Sequence, residues 1–353
     1  MKVALITDTH FGAKNDNIQF AAFQRQFYES TFFPICRREK IDAVVHLGDC
    51  FDRRRYTNFH TLAIAKEMFF NPMIELGVDL HMLLGNHDCY FKNNNDINSV
   101  GLTLGEYPIH LYKDIPEIVN FDGLDILMTP WICPEKHTES IRKIQKSKVD
   151  WAFGHLPLNG SEMMPGFYCE DGISRDIFKG YERVFSGHFH QQQDDGQIRY
   201  LGAPYEITWS DYNSAKGFHI LNTETRELEF YQNPNRLFKK IFYDDSQQNM
   251  MELDLSEYEK TYVKLFVMQK NDFYTFDRFV DRCYNEGNFQ ELKIVEDFSD
   301  LDHENLTEEH FEEMEDTISL LQRYVDEIDS QGLDKKKLNN LLKTLYIEAN
   351  EEE

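Results

Sequence analysis

Residues 43–52 read Ala43-Val44-Val45-His46-Leu47-Gly48-Asp49-Cys50-Phe51-Asp52, an apolar, β-branched run closed by glycine and then by carboxylates. A run this short and apolar predicts a buried strand, because helices need about ten or more residues and glycine ends the run. Lacking a Cβ, the glycine lets the strand end turn sharply and lets the backbone approach whatever the next side chain binds. The same arrangement recurs along the chain. The run 3–6 precedes Asp8-Thr9-His10, and 80–84 precedes Gly85-Asn86-His87-Asp88. The run 151–153 precedes Gly154-His155, and 184–186 precedes Gly187-His188-Phe189-His190.

A further strand is expected at 126–128, and helical patterns at 18–39 and 59–75 lie between strands. Alternation of this kind predicts an α/β layered domain over residues 1–234. Within it, 216–231 reads as a hairpin that turns at Asn222, Thr223 and Glu224. A small second unit is expected over 235–297, with strands at 262–268 and 291–295 around a helix at 275–285. The segment 298–353 reads as an acidic linker and a helical hairpin. Phe311, Met314, Ile318, Leu321, Val325 and Ile328 alternate spacings of three and four, an a/d seam suited to a partner helix. Thr307 and Asp334 are the expected helix caps, Gly332 the break, and Leu338, Leu341, Leu342 and Leu345 the apolar face of the second helix.

The net charge of -25 runs against the basic surface expected of a nucleic-acid binder. Much of the excess is local, since Glu296 to Asp316 contains eleven carboxylates and no Lys or Arg. The six cysteines, Cys36, Cys50, Cys89, Cys133, Cys169 and Cys283, form no CxxC pair and read as reduced thiols. The apolar run at the N-terminus is too short for a signal peptide or a membrane span. A cytoplasmic protein is therefore expected.

In α/β sheets, sites assemble in the crevice beyond the carboxyl ends of the strands, so five sequence-distant clusters can converge there. Carboxylate, amide and imidazole donors without thiolate suit Mn²⁺, Fe²⁺ or Zn²⁺ better than Ca²⁺ or a structural zinc. The number of donors suggests two ions. A bridging carboxylate would hold them about 3.5–4 Å apart, the spacing used in phosphoryl displacement.

These clusters resemble the five motifs of the calcineurin-like metallophosphoesterase superfamily, over about residues 1 to 220. The resemblance implies a two-layered β-sandwich flanked by helices and a pair of divalent ions, Mn²⁺ in the nuclease branch with Mg²⁺ as the alternative. One ion would take Asp8, His10, Asp49 and His190, the other Asp49, Asn86, His155 and His188, with Asp49 as the bridge. His87 matches the family's catalytic histidine, which assists the leaving oxygen, and Asp52 or Asp88 would orient it. The tract Tyr200-Leu201-Gly202-Ala203-Pro204, followed by Lys216-Gly217-Phe218, looks like the SbcD-type branch. That branch implies a capping domain, a terminal element gripping an SbcC-like coiled-coil ATPase, a homodimer and no membrane.

The Asp52-Arg53-Arg54-Arg55 continuation is most similar to the T-even-type phage members, which implies the host cytoplasm. Many cellular members carry histidine where Asp52 stands, so no second-histidine role is transferred. The implied activity is 3′-5′ exonuclease on duplex DNA and endonuclease on single strands. Cations would supply the attraction that an acidic surface lacks, and Arg53, Arg54 and Arg55 would meet the DNA backbone. Tyr56, Phe59 and Trp209 could stack on bases or pair subunits. A small-molecule phosphodiesterase or protein phosphatase is the nearest rival reading, and a non-catalytic scaffold the other. Histidines outside the motifs, such as His46, His81 and His219, receive no role.

Overall fold

The computed structural model describes residues 1–164, 167–295 and 338, and among them no helix is long and apolar enough to cross a membrane. The acidic tract and the terminal hairpin expected beyond residue 297 lie outside the described residues, apart from Leu338. The chain divides into two units. The first comprises Met1–Lys239, Leu255–Val263 and Cys283–Glu291; the second begins with Lys240–Asp254 and Lys264–Arg282 and continues from Leu292.

The first unit begins with β1 (Lys2–Ile6), β2 (Ala43–His46), β3 (Asp79–Leu83) and β4 (Ile109–Tyr112). Next come β5 (Glu117–Phe121), β6 (Leu124–Thr129), β7 (Trp151–His155) and a ribbon of β8 (Glu162–Met164) and β9 (Phe167–Tyr168). The series closes with β10 (Arg183–Gly187), β11 (Gln193–Asp194), β12 (Ile198–Tyr200), β13 (Gly217–Asn222) and β14 (Leu228–Gln232). Two six-stranded sheets result, in the orders β14-β13-β1-β2-β3-β4 and β11-β12-β10-β7-β6-β5. β1 to β4 are mutually parallel, as are β6, β7, β10 and β12. The antiparallel strands β13, β14, β5 and β11 complete the sheets.

Side chains alternate across a strand, which sorts the apolar runs into layers. Val3, Leu5, Val45 and Leu83 pack between the sheets against Ile126, Met128, Phe153 and Phe185. On the other face of the first sheet, Ile6, Val44 and Met82 meet helices through Phe20, Phe27, Phe32 and Phe69. Leu127, Ala152 and Val184 cover the outer face of the second sheet with Ile144 and Phe178. Both faces of each central strand are thus buried, which is why their sequences read as unbroken apolar runs. This is the expected two-layered sandwich flanked by helices.

Each long helical pattern contains a proline, and each continues through it. Ile18–Phe27 passes through a π-helical turn, Tyr28–Phe32, into Phe33–Glu39, which carries Pro34 in its first turn. Phe59–Ala65 passes through Lys66–Phe70 into Asn71–Leu76, which carries Pro72. Proline lacks an N–H and clashes with the carbonyl four residues back, and a wider turn absorbs both defects. The two wide turns pack on each other, Tyr28 and Phe69 with ring centroids 5.2 Å apart.

The second unit is built on β15 (Phe238–Asp244), β16 (Tyr262–Gln269) and β17 (Glu291–Val295), a sheet in that order, with the helix Phe273–Glu286. Tyr243 packs on Phe276 and Phe279 at 4.9 and 5.4 Å. The sequence reading lacked β15, where Lys239 and Lys240 interrupt the apolar pattern.

His81 and His219 are buried within the sandwich, away from the ligand clusters. His81 shares a 2.8 Å hydrogen bond with the Tyr112 hydroxyl, and Arg199 donates to His219 Nε2 at 3.3 Å. Burial lowers their pKa values to about 4 and about 3, with His110 and Arg199 adding to the effect. An unfolded histidine titrates near 6.5, so below that pH the unfolded chain binds protons that the folded chain refuses. The contribution of these two groups to stability is therefore full above about pH 6.5 and falls with acidity. His219→Gln is expected to remove about 2 kcal/mol of the loss between pH 7 and pH 5, measured by denaturant titration at both values. An unchanged pH dependence would contradict the assignment.

Candidate metal centre

The ligand-type residues leave the carboxyl ends of parallel strands: Asp8 and His10 after β1, Asp49 after β2, Asn86 and His87 after β3. His155 ends β7, while His188 and His190 follow β10. Four of them turn through left-handed backbone, Asp8 (φ 51°), His10 (φ 42°), Asp49 (φ 54°) and His188 (φ 92°). Such backbone costs an L-residue about 1–2 kcal/mol. Main-chain hydrogen bonds offset it: Asp8 N–H donates to Gly48 O at 3.0 Å, His10 N–H to Asp49 O at 3.1 Å, and Phe11 N–H to Cys50 O at 2.9 Å. Gly48 and Gly85 make the loops possible. Gly48 is itself left-handed (φ 103°), and a Cβ there would strike the His155 ring; one on Gly85 would fall on Asp49.

Among the described residues, two groups of side chains are able to hold a metal ion, Asp8 with His10 and His190, and Asp49 with His155 and His188, their donor atoms within 4.8 Å of one another in each. Asp49 links the two, since its Oδ2 is 3.2 Å from His155 Nε2 and 3.8 Å from His10 Nε2. Asn86 Oδ1 lies 3.1 Å from His155 Nε2 and 2.8 Å from His188 Nδ1. His10 and His190 point their Nε2 atoms at each other across 3.2 Å. Two lone pairs so close need a proton or a cation between them, so the donor set fits cations.

The surroundings fix each donor. His155 Nδ1 donates to Leu47 O at 2.8 Å, leaving Nε2 for the site. Asp8 is held by the His188 N–H at 3.1 Å and the Thr7 hydroxyl at 2.8 Å. Burial opposes charge on His10 and His155, yet nearby carboxylates raise both to about 9. Burial would also raise the pKa of Asp49, but His155, His87 and His10 hold it well below the usual range. His188 and His190 are lowered, chiefly by burial, to the neutral form that ligates. Cations entering here compete with protons, so affinity falls with acidity.

His87 sits beside this cluster. Its N–H donates to Asp49 Oδ1 at 2.8 Å, and its Nδ1 to the main-chain oxygen of Asp52 at 2.6 Å. Asp52 thus supports His87 through its backbone; its carboxylate approaches His10 Nδ1 at 3.2 Å without hydrogen-bond alignment. Asp88 serves the loops instead of the ring, its carboxylate accepting N–H groups of Gly85, Cys50 and Phe51 at 2.9, 3.0 and 3.2 Å. Burial, with Asp49 nearby, raises its pKa to about 6.

Of the three arginines, Arg53 is bound to Asn15, Tyr56 and Asp16, Arg54 lies over the Trp131 ring, and Arg55 is exposed. Tyr56 and Phe59 are exposed, while Trp209 stacks on Phe238 at 4.6 Å.

Sequence reading missed the supports. His46 is buried, its pKa lowered to about 3 chiefly by burial, and it joins the Thr9 hydroxyl at 2.9 Å to the Gly48 N–H at 3.2 Å. Its position at the end of an apolar run beside Gly48 was the available signal. Gln24 donates to Thr9 O at 2.9 Å, and Tyr205 to the same oxygen at 2.5 Å. Lys216 donates to His190 O and to Asp211 Oδ1, each at 2.6 Å, and Asp211 Oδ2 faces His190 Nδ1 at 3.9 Å.

Residues 1–192 match the family model of the calcineurin-like phosphoesterases. The chain is 28% identical over 351 residues to exonuclease subunit 1 of Enterobacteria phage T4, covering 99% of each. It is 24% identical over 254 residues to the SbcD component of the nuclease SbcCD of Staphylococcus epidermidis, 65% of this chain and 67% of that one. A solved archaeal phosphodiesterase covers 66% of this chain and 100% of its own at 15% identity, with a TM-score of 0.33.

Because a Cβ at position 85 would land on Asp49, Gly85→Ala is expected to abolish divalent-ion uptake while far-UV circular dichroism stays native. Metal content by mass spectrometry checks this, and wild-type uptake would contradict the geometry.

Proposed function

Since this chain belongs to the calcineurin-like phosphoesterase family, we propose that it is a DNA nuclease that hydrolyses phosphodiesters with two divalent ions, Mn²⁺ by preference. The observation that carries the reading is Asp49 Oδ2, placed 3.8 Å from His10 on one side and 3.2 Å from His155 on the other. Likeness over 99% of both chains to a phage exonuclease subunit supports DNA as the substrate.

Asp8, His10, Asp49 and His190 would hold one ion, and Asp49, Asn86, His155 and His188 the other. Bound there, the ions would lower the pKa of water and offset charge on the phosphoryl oxygens. His87 Nδ1 is committed to Asp52 O, so Nε2 is the nitrogen that hands a proton to the departing sugar oxygen. Asp49, through the His87 N–H, keeps that ring beside the cluster. The activity expected is 3′-5′ on duplex ends and endonucleolytic on single strands, in the host cytoplasm. Residues 235–297 would cap the nuclease domain. Residues 298–353 would dock an SbcC-like coiled-coil ATPase, in an assembly containing two copies of this chain.

His87→Ala is expected to retain wild-type metal content and lose about 10²- to 10⁴-fold in cleavage of end-labelled DNA with Mn²⁺. Cleavage at the wild-type rate would end this mechanism. Hydrolysis of p-nitrophenyl phosphate but not of DNA would favour the phosphatase reading. A chain ending before Thr307 is expected to keep basal cleavage and lose co-purification with the ATPase; retained co-purification would remove the docking role from the tail.

A further inference from the structure

Arg53, Arg54 and Arg55 are consecutive, yet the fold treats each differently. Arg53 is neutralised by Asp16 at 3.2 Å and donates to Asn15 and Tyr56. In doing so it braces the left-handed turn of Lys14, Asn15 and Asp16 (φ 54°, 60° and 57°), so its task is internal. Arg55 is exposed.

Arg54 is half-buried, with its guanidinium 5.5 Å from the Trp131 ring centroid. Its Nε and Nη1 are shut off from solvent without a hydrogen-bond partner, and no carboxylate among the described residues pairs with it. Nη2 is not among the atoms so shut off, so an anion arriving from outside can reach that edge of the guanidinium and offset its unmet charge. Its position suits such an arrival. Arg54 follows by two residues the Asp52 carbonyl that holds His87, and Trp131 donates its N–H to Leu84 O at 2.8 Å, just ahead of the ligand loop of Asn86.

We propose that Arg54 binds a phosphate of the DNA strand next to the one being cut, which rests on the nuclease reading. The charge of the scissile phosphate would be met at the metal centre, so a further cation on the segment whose Asp52 carbonyl holds His87 serves a neighbouring phosphate. A strand has one; a small ester does not. Stacking on Trp131 presets the planar guanidinium, which loses little freedom on taking an anion.

The test compares Arg54→Ala, Arg54→Lys and Arg55→Ala on a labelled single-stranded oligonucleotide and on bis(p-nitrophenyl) phosphate. Arg54→Ala is expected to raise the oligonucleotide KM at least tenfold with kcat within about threefold, a change at least tenfold larger than on the ester. The salt dependence of log KM should fall by about 0.7, the value for one lost single-strand phosphate contact. Arg54→Lys should recover only part of the loss, because an ammonium does not stack flat. An unchanged oligonucleotide KM, an equal loss on both substrates, or the same effect from Arg55→Ala would overturn the proposal. A wild-type chain that hydrolyses the ester and no DNA would instead fail the nuclease reading itself.

Discussion

The site is organised around one buried carboxylate. Asp49 is 2% exposed, and a carboxylate placed there without positive partners would stay protonated. His155, His87 and His10 reverse that tendency and hold it ionised. Its backbone is equally constrained, left-handed after a left-handed Gly48, with Gly85 packed so closely that no side chain fits between. Asp88 then ties the Asp49 loop to the Gly85 loop by accepting N–H groups from both. Charge and geometry therefore reinforce each other: the loops close around Asp49, and the ionised Asp49 draws in the imidazoles.

The imidazoles come from both sheets. Asp8, His10, Asp49 and Asn86 follow strands of the first, whereas His155, His188 and His190 belong to the second. The inter-sheet layer of Val3, Leu5, Val45, Phe153 and Phe185 thus sets the distance between two halves of the ligand set. Besides the contacts between donor side chains, two hydrogen bonds that use main-chain atoms span the halves. His155 Nδ1 donates to Leu47 O, and the His188 N–H donates to Asp8, each linking a strand end of one sheet to a strand end of the other. Packing of the sandwich and spacing of the donors are one physical quantity here.

The central strands were legible because parallel strands buried on both faces must be apolar throughout, and the ligand loops because Gly followed by Asp, Asn or His is rare after such runs. The edge strand β14 was legible as one arm of the expected hairpin, but the edge strands β4, β5 and β11 were not. β4 and β5 alternate exposed and covered residues, and Ile118 in β5 is 53% exposed, so neither gives a continuous run. The seven side chains proposed as donors could be named from sequence, and the fold brings them together. Their supports could not, since a hydrogen bond such as Gln24 to Thr9 O or Lys216 to His190 O depends on a fold-specific approach between distant segments. Asp52 shows the same limit, because its main-chain oxygen, which carries no sequence identity, is the atom that reaches His87.

The tract that set this chain apart from the wider superfamily proves to be structural support for the ligand loops. Tyr200 donates to Leu156 O at 2.7 Å and receives the Leu158 N–H at 3.1 Å, fixing the chain just after His155. Gly202 is left-handed (φ 74°), and the Ala203 N–H donates to His190 O at 3.1 Å. Lys216 shares that oxygen and pairs with Asp211, both 1% exposed, and Lys216 with His190 lowers the Asp211 pKa to about 2 against its burial. A buried ion pair contributes little net stability over a well-packed apolar replacement, so its value lies in fixing geometry. Here that geometry is the backbone of His190, with a carboxylate behind Nδ1 that raises the ring's basicity toward a cation. What reads in sequence as a family signature is, in physical terms, the means of holding one imidazole still.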